Sequence, residues 1–409
     1  MRGRYLAYAL PALPLSLFAL PLYVHVPKLY AEQAGLPLAL IGAILLGARL
    51  FDAICDPLIG RCCDRYRRRK LALLLALPLL VGGGAMLFAP VSGAGPAWLL
   101  CGLLLAYAGY SIAMINHSAW GAEFPADDTG RLQATAWREG VALLGVLLAA
   151  GLPGLLADDL AQALRRLLWI FAPLLCIAVA VAVVLVPNAI RVTRIFPERA
   201  VAQGWYSVRF RRLILTYGLN GIAAAVPATL VLFYVGDVLH AATWSGVFLL
   251  LYFLAGALAL PFWVALARRV GRLAAWRRAM LLAMASFAAA PLLGPGDVVL
   301  FALICIASGI ALGADLAMPP ALLAEHVAQQ GQAATSYGWW AAVTKMSLAL
   351  AAGIALPLVS WLGYAPGQGG AGALAWVYGG LPLLLKGAAW WCLRRARADL
   401  QSLDQGVPA

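Results

Sequence analysis

Twelve apolar runs, each long enough to cross a lipid bilayer, occupy most of this 409-residue chain. A helix needs about 20 consecutive apolar residues to span the hydrocarbon core. Hydrophobic residues make up 64% of the sequence and charged residues 11%, whereas soluble domains carry about 25% charged residues. The sequence therefore predicts an all-α membrane protein and excludes a soluble enzyme. The predicted spans are 5–30, 37–61, 70–91, 97–121, 137–157, 166–187, 210–236, 243–267, 278–293, 297–322, 335–363 and 371–393.

The positions of the basic residues predict which side of the membrane each connection faces. Lys and Arg cluster in the two tails and the even-numbered connections, whereas the odd-numbered connections carry only Arg165 and Arg166. Cytoplasmic loops carry an excess of Lys and Arg. We therefore expect a multi-pass protein of the cell membrane, the inner membrane in a Gram-negative cell, with both termini cytoplasmic. The net charge of +13 is dispersed over these loops, and no basic patch is large enough for nucleic-acid binding.

The longest connection predicts how the chain is divided. It covers 188–209 and separates six spans from six, which gives an N-terminal bundle (1–187), a cytoplasmic linker (188–209) and a C-terminal bundle with a short tail (210–409). The second span of each half leads into a basic loop, DRYRRRK at 64–70 and ARRVGRLAAWRR at 267–278. A basic loop recurring at the same place is what two repeated six-helix bundles leave behind.

Two carboxylates lie in the middle of the second span. Asp52 and Asp56 are four residues apart, which places both on one helix face, and Arg49 shares that face. A charge at mid-membrane costs about 2.5–3.5 kcal/mol on insertion scales. Two such carboxylates repel each other unless a cation or a proton separates them. The pair therefore indicates either a monovalent-cation site or an internal salt-bridge network with Arg49 that ties the bundle together.

Buried charges also occur in the fifth and eleventh spans. Arg138 and Glu139 are adjacent, and because neighbouring residues of a helix point about 100° apart, we expect them not to pair with each other. Lys345 lies well inside its apolar run and needs an acidic partner or an anionic or polyhydroxyl ligand. Asp315 and Lys386 are expected to be structural or to extend toward an interface.

Sequence signatures of catalysis are absent. The chain has no Gly-rich loop ending in GK[ST], no nucleophile elbow and no HExxH motif. Its four histidines are too dispersed for a metal site. We expect no enzymatic activity and no cofactor other than a coupling ion.

The segment GLPLALIGAILLGARLFDAICDPLIGRCCDRYRRR at 35–69 resembles the second-helix signature of the glycoside–pentoside–hexuronide:cation symporters, the melibiose-carrier branch of the major facilitator superfamily. The pattern Asp-Ala-x-x-Asp-Pro-x-x-Gly begins at Asp52 and ends at Gly60, and Asp64 with Arg65 follow it. YSIAMINHSAWGAE, TAWRE and PPALLAEH…SYGWWAAVTK extend the likeness along the chain with less clarity. The resemblance implies the major facilitator fold.

The resemblance also implies a cation site. In that family the two second-span aspartates and a hydroxyl residue of the fourth span hold Na+, Li+ or H+, and the matching positions here are Asp52, Asp56 and Ser111. Cys55 stands where the melibiose carrier has an asparagine. The loss of that oxygen ligand favours H+ over Na+. Asp52 and Asp56 would be metal ligands only in a sodium-coupled protein.

The solute site implied by the resemblance differs from that of the melibiose carrier at more positions than the cation site does. The family's solute-binding arginine and lysine correspond to Arg138 and Lys345, but its two solute-binding carboxylates align with Ser16 and Met114. A pocket with two cations and without those carboxylates favours an anionic or amphipathic solute over a neutral galactoside. Trp339 either stacks on a sugar ring or packs at the interface. Further contacts are predicted for Asn220 and Tyr8.

These residues predict a cation-coupled symporter of a sugar or sugar acid that works by alternating access. One alternative is a transporter of an amphipathic, lysolipid-like or organic anion, and another is a membrane receptor with the same fold and no transport. Arg49, Asp64, Arg65 and Glu139 are expected to form a structural charge network. The predicted partners are a small solute, a monovalent cation and the lipid bilayer, and we expect a monomer.

Overall fold

The structure is a computed structural model that describes residues 2–33, 35–91, 93–125, 127–157, 159–188, 207–330, 333–365 and 369–400. Regular structure in these residues is helical, apart from one isolated bridge between Ala365 and Gly369. The helices are α1 Arg2–Ala9, α2 Ala12–Gln33, α3 Leu38–Tyr66, α4 Arg69–Phe88, α5 Pro96–Glu123, α6 Asp128–Leu156, α7 Leu160–Leu185, α8 Val208–Phe233, α9 Ser245–Val270, α10 Arg272–Ala289, α11 Val298–Gln330, α12 Ala333–Trp361, α13 Ala371–Arg395 and α14 Arg397–Leu400.

Each of the twelve predicted spans coincides with a helix or helix pair. The first span is divided into α1 and α2 at Leu10 and Pro11, because proline cannot donate the backbone hydrogen bond that would continue the helix. The seventh continues from α8 into a π-helical turn, Tyr234–Val238. Nine helices of the described ranges satisfy the length and composition expected of a membrane crossing. The predicted all-α membrane architecture is confirmed.

The chain forms two compact units. The first contains 1–196 and 327–342, and the second contains 197–326 and 343–409. Most of the predicted linker, 189–206, lies outside the described residues. The division into 1–187, 188–209 and 210–409 therefore stays a prediction.

Aromatic side chains form much of each unit's core. In the first unit, Phe18 of α2 stacks on Phe171 of α7 with ring centroids 4.8 Å apart and contacts Phe88 of α4 at 5.2 Å. In the second, Tyr234 stacks on Tyr378 of α13 at 4.2 Å. Association of membrane helices depends on close packing because lipid tails are as apolar as the helix surfaces. These contacts hold the helices that carry the buried polar groups.

Candidate functional site

The two carboxylates of α3 are buried in the first unit. The helix begins after Pro37 and ends at Arg67, whose left-handed backbone (φ 50°) terminates it. Asp52 is 4% exposed and Asp56 is 0% exposed. Pro57 lies within the helix and removes the backbone donor that would serve the carbonyl one turn earlier. Both carboxylates therefore lie on the interior side of α3, one helical turn apart.

A hydroxyl from a second helix completes this group of oxygens, which we call the carboxylate site: Asp52, Asp56 and Ser111. Ser111 of α5 is 2% exposed and donates a hydrogen bond of 2.8 Å from Oγ to Oδ1 of Asp52. A hydrogen bond to an ionised carboxylate is stronger than one between neutral groups and partly offsets the cost of burial. Cys55 and Arg49 on the same helix are half-buried. The site offers oxygen atoms of the kind that bind a proton or a small monovalent cation.

Arg138 of α6 is buried and held by two side chains in the same unit. Its Nη1 donates to Oγ of Ser118 at 2.6 Å. Its Nε and Nη2 donate to Oε1 of Glu139 at 3.1 and 2.5 Å. The expectation that these neighbours do not pair is wrong. The angle between two Cβ directions does not limit a long arginine side chain, whose flexible stem allows the guanidinium to fold back onto the next residue.

The remaining predicted solute contacts lie in both units. Ser16 of α2, Met114 of α5 and Trp339 of α12 are half-buried in the first unit. Lys345, also on α12, is half-buried in the second unit, and Asn220 of α8 is 3% exposed there. Each of these side chains is therefore half-buried or buried within its own unit. Their joint role in one solute site stays a prediction.

Asn220 belongs to a buried network in the second unit. Lys386 of α13 is 4% exposed and donates to Oδ1 of Asn220 at 2.9 Å and to Oδ2 of Asp315 at 2.8 Å. Trp276 of α10 donates to the other oxygen of Asp315 at 2.8 Å. Four helices thus supply one satisfied group of donors and acceptors. Lys386 is paired deep in the protein and does not extend toward an interface.

At the end of α3, an acidic side chain joins three elements of the first unit. Asp64 accepts hydrogen bonds from the backbone N–H groups of Ala334 at 2.9 Å and Thr335 at 2.7 Å, both at the beginning of α12. It also pairs with Arg69 at 2.6 Å, and Arg69 in turn binds Glu123 at 2.8 and 3.0 Å. The first N–H groups of a helix have no partner within the helix and attract negative charge. We call Asp64, Arg69, Glu123 and this helix start the α3–α12 lock.

Two glycines allow α3 and α12 to cross closely. A Cβ on Gly338 would lie 2.5 Å from the backbone oxygen of Asp56, and a Cβ on Gly60 would collide with the backbone of Ala334. Small residues at such crossings let membrane helices approach each other. The crossing places the backbone of α12 against the turn of α3 that carries Asp56.

The sequence reasoning named Asp64 but missed Arg69 and Glu123. The basic loop that recurs in both halves of the sequence could have indicated this pair, because a matching pair occurs in the second unit. There, Arg272 at the start of α10 lies 4.0 Å from Glu325 near the end of α11. Both pairs join the beginning of one span to the end of the next. Arg65 is exposed, outside the buried part of the lock.

Two solved structures share the fold. A bacterial homologue of the iron transporter ferroportin, in the outward-facing state, superposes with a TM-score of 0.74 at 16% identity and covers 97% of this chain and 99% of its own. The Escherichia coli fucose:proton symporter FucP gives a TM-score of 0.71 at 15% identity, with coverage of 96% and 97%. Identities this low show the fold alone, which is the twelve-helix major facilitator fold.

Sequence comparison identifies the family. The inner membrane symporter YicJ of Escherichia coli (strain K12) is 28% identical over 137 residues, a stretch that covers 29% of this chain and 28% of the relative. The family described as MFS/sugar transport protein matches residues 7–399, nearly the whole chain. The resemblance inferred from the second-span motif is thereby confirmed. The chain belongs to the MFS/sugar transport protein family and is a membrane transporter, not an enzyme.

Proposed function

We propose that this transporter is a cation-coupled symporter of a sugar or sugar acid, with Asp52 and Asp56 as the coupling residues. The observation that carries the proposal is the hydrogen bond of 2.8 Å from Ser111 to Asp52, with the fully buried carboxylate of Asp56 one turn away. Intramembrane ionisable groups are costly and are characteristic of ion pathways and proton relays. A bound cation removes the repulsion between the carboxylates and favours the conformational change that carries solute across.

The proton is the proposed coupling ion. Cys55, the residue before Asp56, has sulfur where the family resemblance implies an asparagine oxygen, and hard cations such as Na+ prefer oxygen ligands. A proton needs only one carboxylate oxygen. Two proteins that this chain resembles, the inner membrane symporter YicJ and the fucose:proton symporter FucP, are themselves symporters. We further propose that the protein works as a monomer by alternating access. Both termini would then be cytoplasmic.

An amphipathic anion is the second candidate solute. In the second unit, α9 and α11 form an open groove of about 610 Å³ whose lining is apolar and in which Leu258 and Phe262 are exposed. The lining is Leu251, Leu254, Ala255, Leu258, Ala259, Phe262, Ile306 and Ile310. Such a groove suits an acyl chain better than a sugar ring, because it offers no hydrogen-bonding side chain.

Uptake by the purified protein in proteoliposomes tests the proposal. We expect an inward proton gradient to drive accumulation of a neutral glycoside (melibiose) or a sugar acid (D-glucuronate), and a protonophore to abolish it. Dependence on Na+ alone would overturn the choice of ion. Absence of driven uptake, together with an increased unfolding temperature in lysophosphatidylglycerol, would favour the amphipathic solute. A receptor predicts that Arg138→Gln alters stability and that no flux occurs.

A further inference from the structure

His117 of α5 is a buried imidazole that the proposed cation site does not use. It is 0% exposed, and its Nε2 lies 2.6 Å from the backbone oxygen of Tyr8. The Tyr8 hydroxyl donates back to the backbone oxygen of His117 at 2.9 Å. Gly121, one turn further along α5, leaves the space that the Tyr8 ring occupies. The two side chains therefore join α5 to the break between α1 and α2.

This geometry determines the tautomer of His117. A carbonyl oxygen can only accept a hydrogen bond, so Nε2 must carry the hydrogen. Nδ1 is then an unprotonated acceptor. It is buried and forms no hydrogen bond with any residue in the described ranges. Leaving a buried acceptor unsatisfied costs about 1–3 kcal/mol, and such a group requires an explanation.

His117 is next in sequence to Ser118, which belongs to a cluster whose charges cancel. Ser118, the next residue of α5, accepts the 2.6 Å hydrogen bond from Arg138, and Arg138 pairs with Glu139 at 2.5 Å. With a neutral imidazole, one cation and one anion give the cluster no net charge. A monoanionic solute bound at Arg138 would leave a net charge of −1 in a low-dielectric region, which is costly.

We propose that His117 is a second proton-binding site, which takes up one proton at Nδ1 when a monoanionic solute neutralises Arg138. The imidazole becomes an imidazolium, Nε2–H continues to donate to Tyr8, and the new Nδ1–H donates to an oxygen of the anion. The proton comes from water, and no bond other than N–H forms. The inference rests on the proposed symport and on the predicted role of Arg138 as a solute contact, and it extends both, because it assigns the solute to the monoanions and couples one proton to each.

The groups around His117 account for this behaviour. A cation such as Arg138 of α6 repels an imidazolium, whereas an anion such as Glu139, its ion-pair partner, attracts one. The hydroxyls of Tyr8 and of Tyr337 on α12 also lie within electrostatic range of the guanidinium. Both tyrosines are neutral near pH 7. Burial of His117 and the positive charge of Arg138 both oppose an imidazolium, and the charge of Arg138 is the one of the two that a bound anion can cancel.

The test measures the protonation of His117 without any solute. Full-length protein containing ¹⁵N-labelled histidine is placed in lipid nanodiscs, and the imidazole resonance is followed between pH 8 and pH 5. His117→Gln assigns the signal, because its amide N–H can still donate to Tyr8. We expect a neutral Nε2–H imidazole throughout this range in the unsubstituted protein. In Arg138→Gln, which gives the cluster a charge of −1, we expect at least half of His117 to be protonated at about pH 6.

Two further variants control the result. Arg138→Lys keeps the positive charge and should leave His117 neutral. Ser118→Asp adds a negative charge while Arg138 remains, and it should allow protonation if Arg138→Gln does not fold. An imidazole that stays neutral in a folded Arg138→Gln or Ser118→Asp protein overturns the inference, as does an imidazolium already present in the unsubstituted protein. Neither result depends on Asp56, so failure here is distinguishable from failure of the cation site.

Discussion

Oδ2 of Asp64 accepts a hydrogen bond of 2.7 Å from the backbone N–H of Thr335. Its other oxygen accepts from Ala334 at 2.9 Å and pairs with Arg69. One carboxylate thus holds the end of α3, the start of α4 and the start of α12. Because α12 also carries Lys345, the α3–α12 lock connects the helix of the proposed coupling carboxylates to a helix with a predicted solute contact.

Replacement of Asp64 by Asn should loosen the start of α12. Hydrogen bonds to charged groups contribute about 1.5–3 kcal/mol each, so amide exchange at Ala334 and Thr335 should accelerate about 10- to 100-fold. Hydrogen–deuterium exchange with mass spectrometry of the peptide that covers the start of α12 measures the effect. Arg65→Gln is the control, since Arg65 is exposed on the same segment. Equal exchange rates in the two variants would contradict the lock.

Ser111→Ala removes the hydroxyl that donates to Asp52. Without this donor, Oδ1 of Asp52 loses one hydrogen bond and the carboxylate site loses one of its oxygen groups. We expect gradient-driven uptake at a fixed, subsaturating ion gradient to fall about tenfold, which corresponds to about 1.4 kcal/mol. Uptake at the unsubstituted level would show that Ser111 does not belong to the cation site. Ser308→Ala is a matched control, since Ser308 is buried and donates to carbonyls of its own helix.

Gly338→Ala should separate α3 from α12. The added Cβ would lie 2.5 Å from the backbone oxygen of Asp56, and neither backbone can move without breaking the crossing. We expect a loss of about 1–3 kcal/mol, as for other overpacked positions, and reduced transport. Gly353→Ala on the same helix is the control, because its Cβ meets nothing within 4 Å. Intrinsic fluorescence during thermal unfolding in detergent compares them, and equal midpoints would show that the crossing is not tight.

The effects of Lys386 and Asp315 on the stability of the protein should depend on each other. Removal of one partner leaves a buried charge and costs about 3–5 kcal/mol, whereas removal of both can be nearly neutral. We expect Lys386→Met and Asp315→Asn each to lower the unfolding temperature strongly, and the double variant to recover most of the loss. Additive losses in the double variant would show that Lys386 and Asp315 do not depend on each other.

The fold and the carboxylate site could be predicted because they depend on local pattern. Apolar runs determine the helices, and a four-residue spacing places Asp52 and Asp56 on one face. The backbone partners of Asp64 on α12 could not be predicted in this way, because they lie 270 and 271 residues away in the sequence. Pairing of Arg138 with Glu139 depends on side-chain flexibility that an argument from Cβ directions ignores.

The four-residue spacing is compatible with a cation site and with a purely structural salt-bridge network. A flux measurement distinguishes these two roles of the carboxylates. Asp56→Asn protein in proteoliposomes is tested for gradient-driven accumulation and for equilibrium exchange of the solute found in the uptake screen. We expect accumulation to be lost while exchange continues, because the variant still binds solute but cannot bind the coupling ion. Asp159→Asn, an exposed helix-capping position, should accumulate solute normally. Gradient-driven accumulation by Asp56→Asn at the unsubstituted level would contradict the central claim that Asp56 couples the ion to the solute.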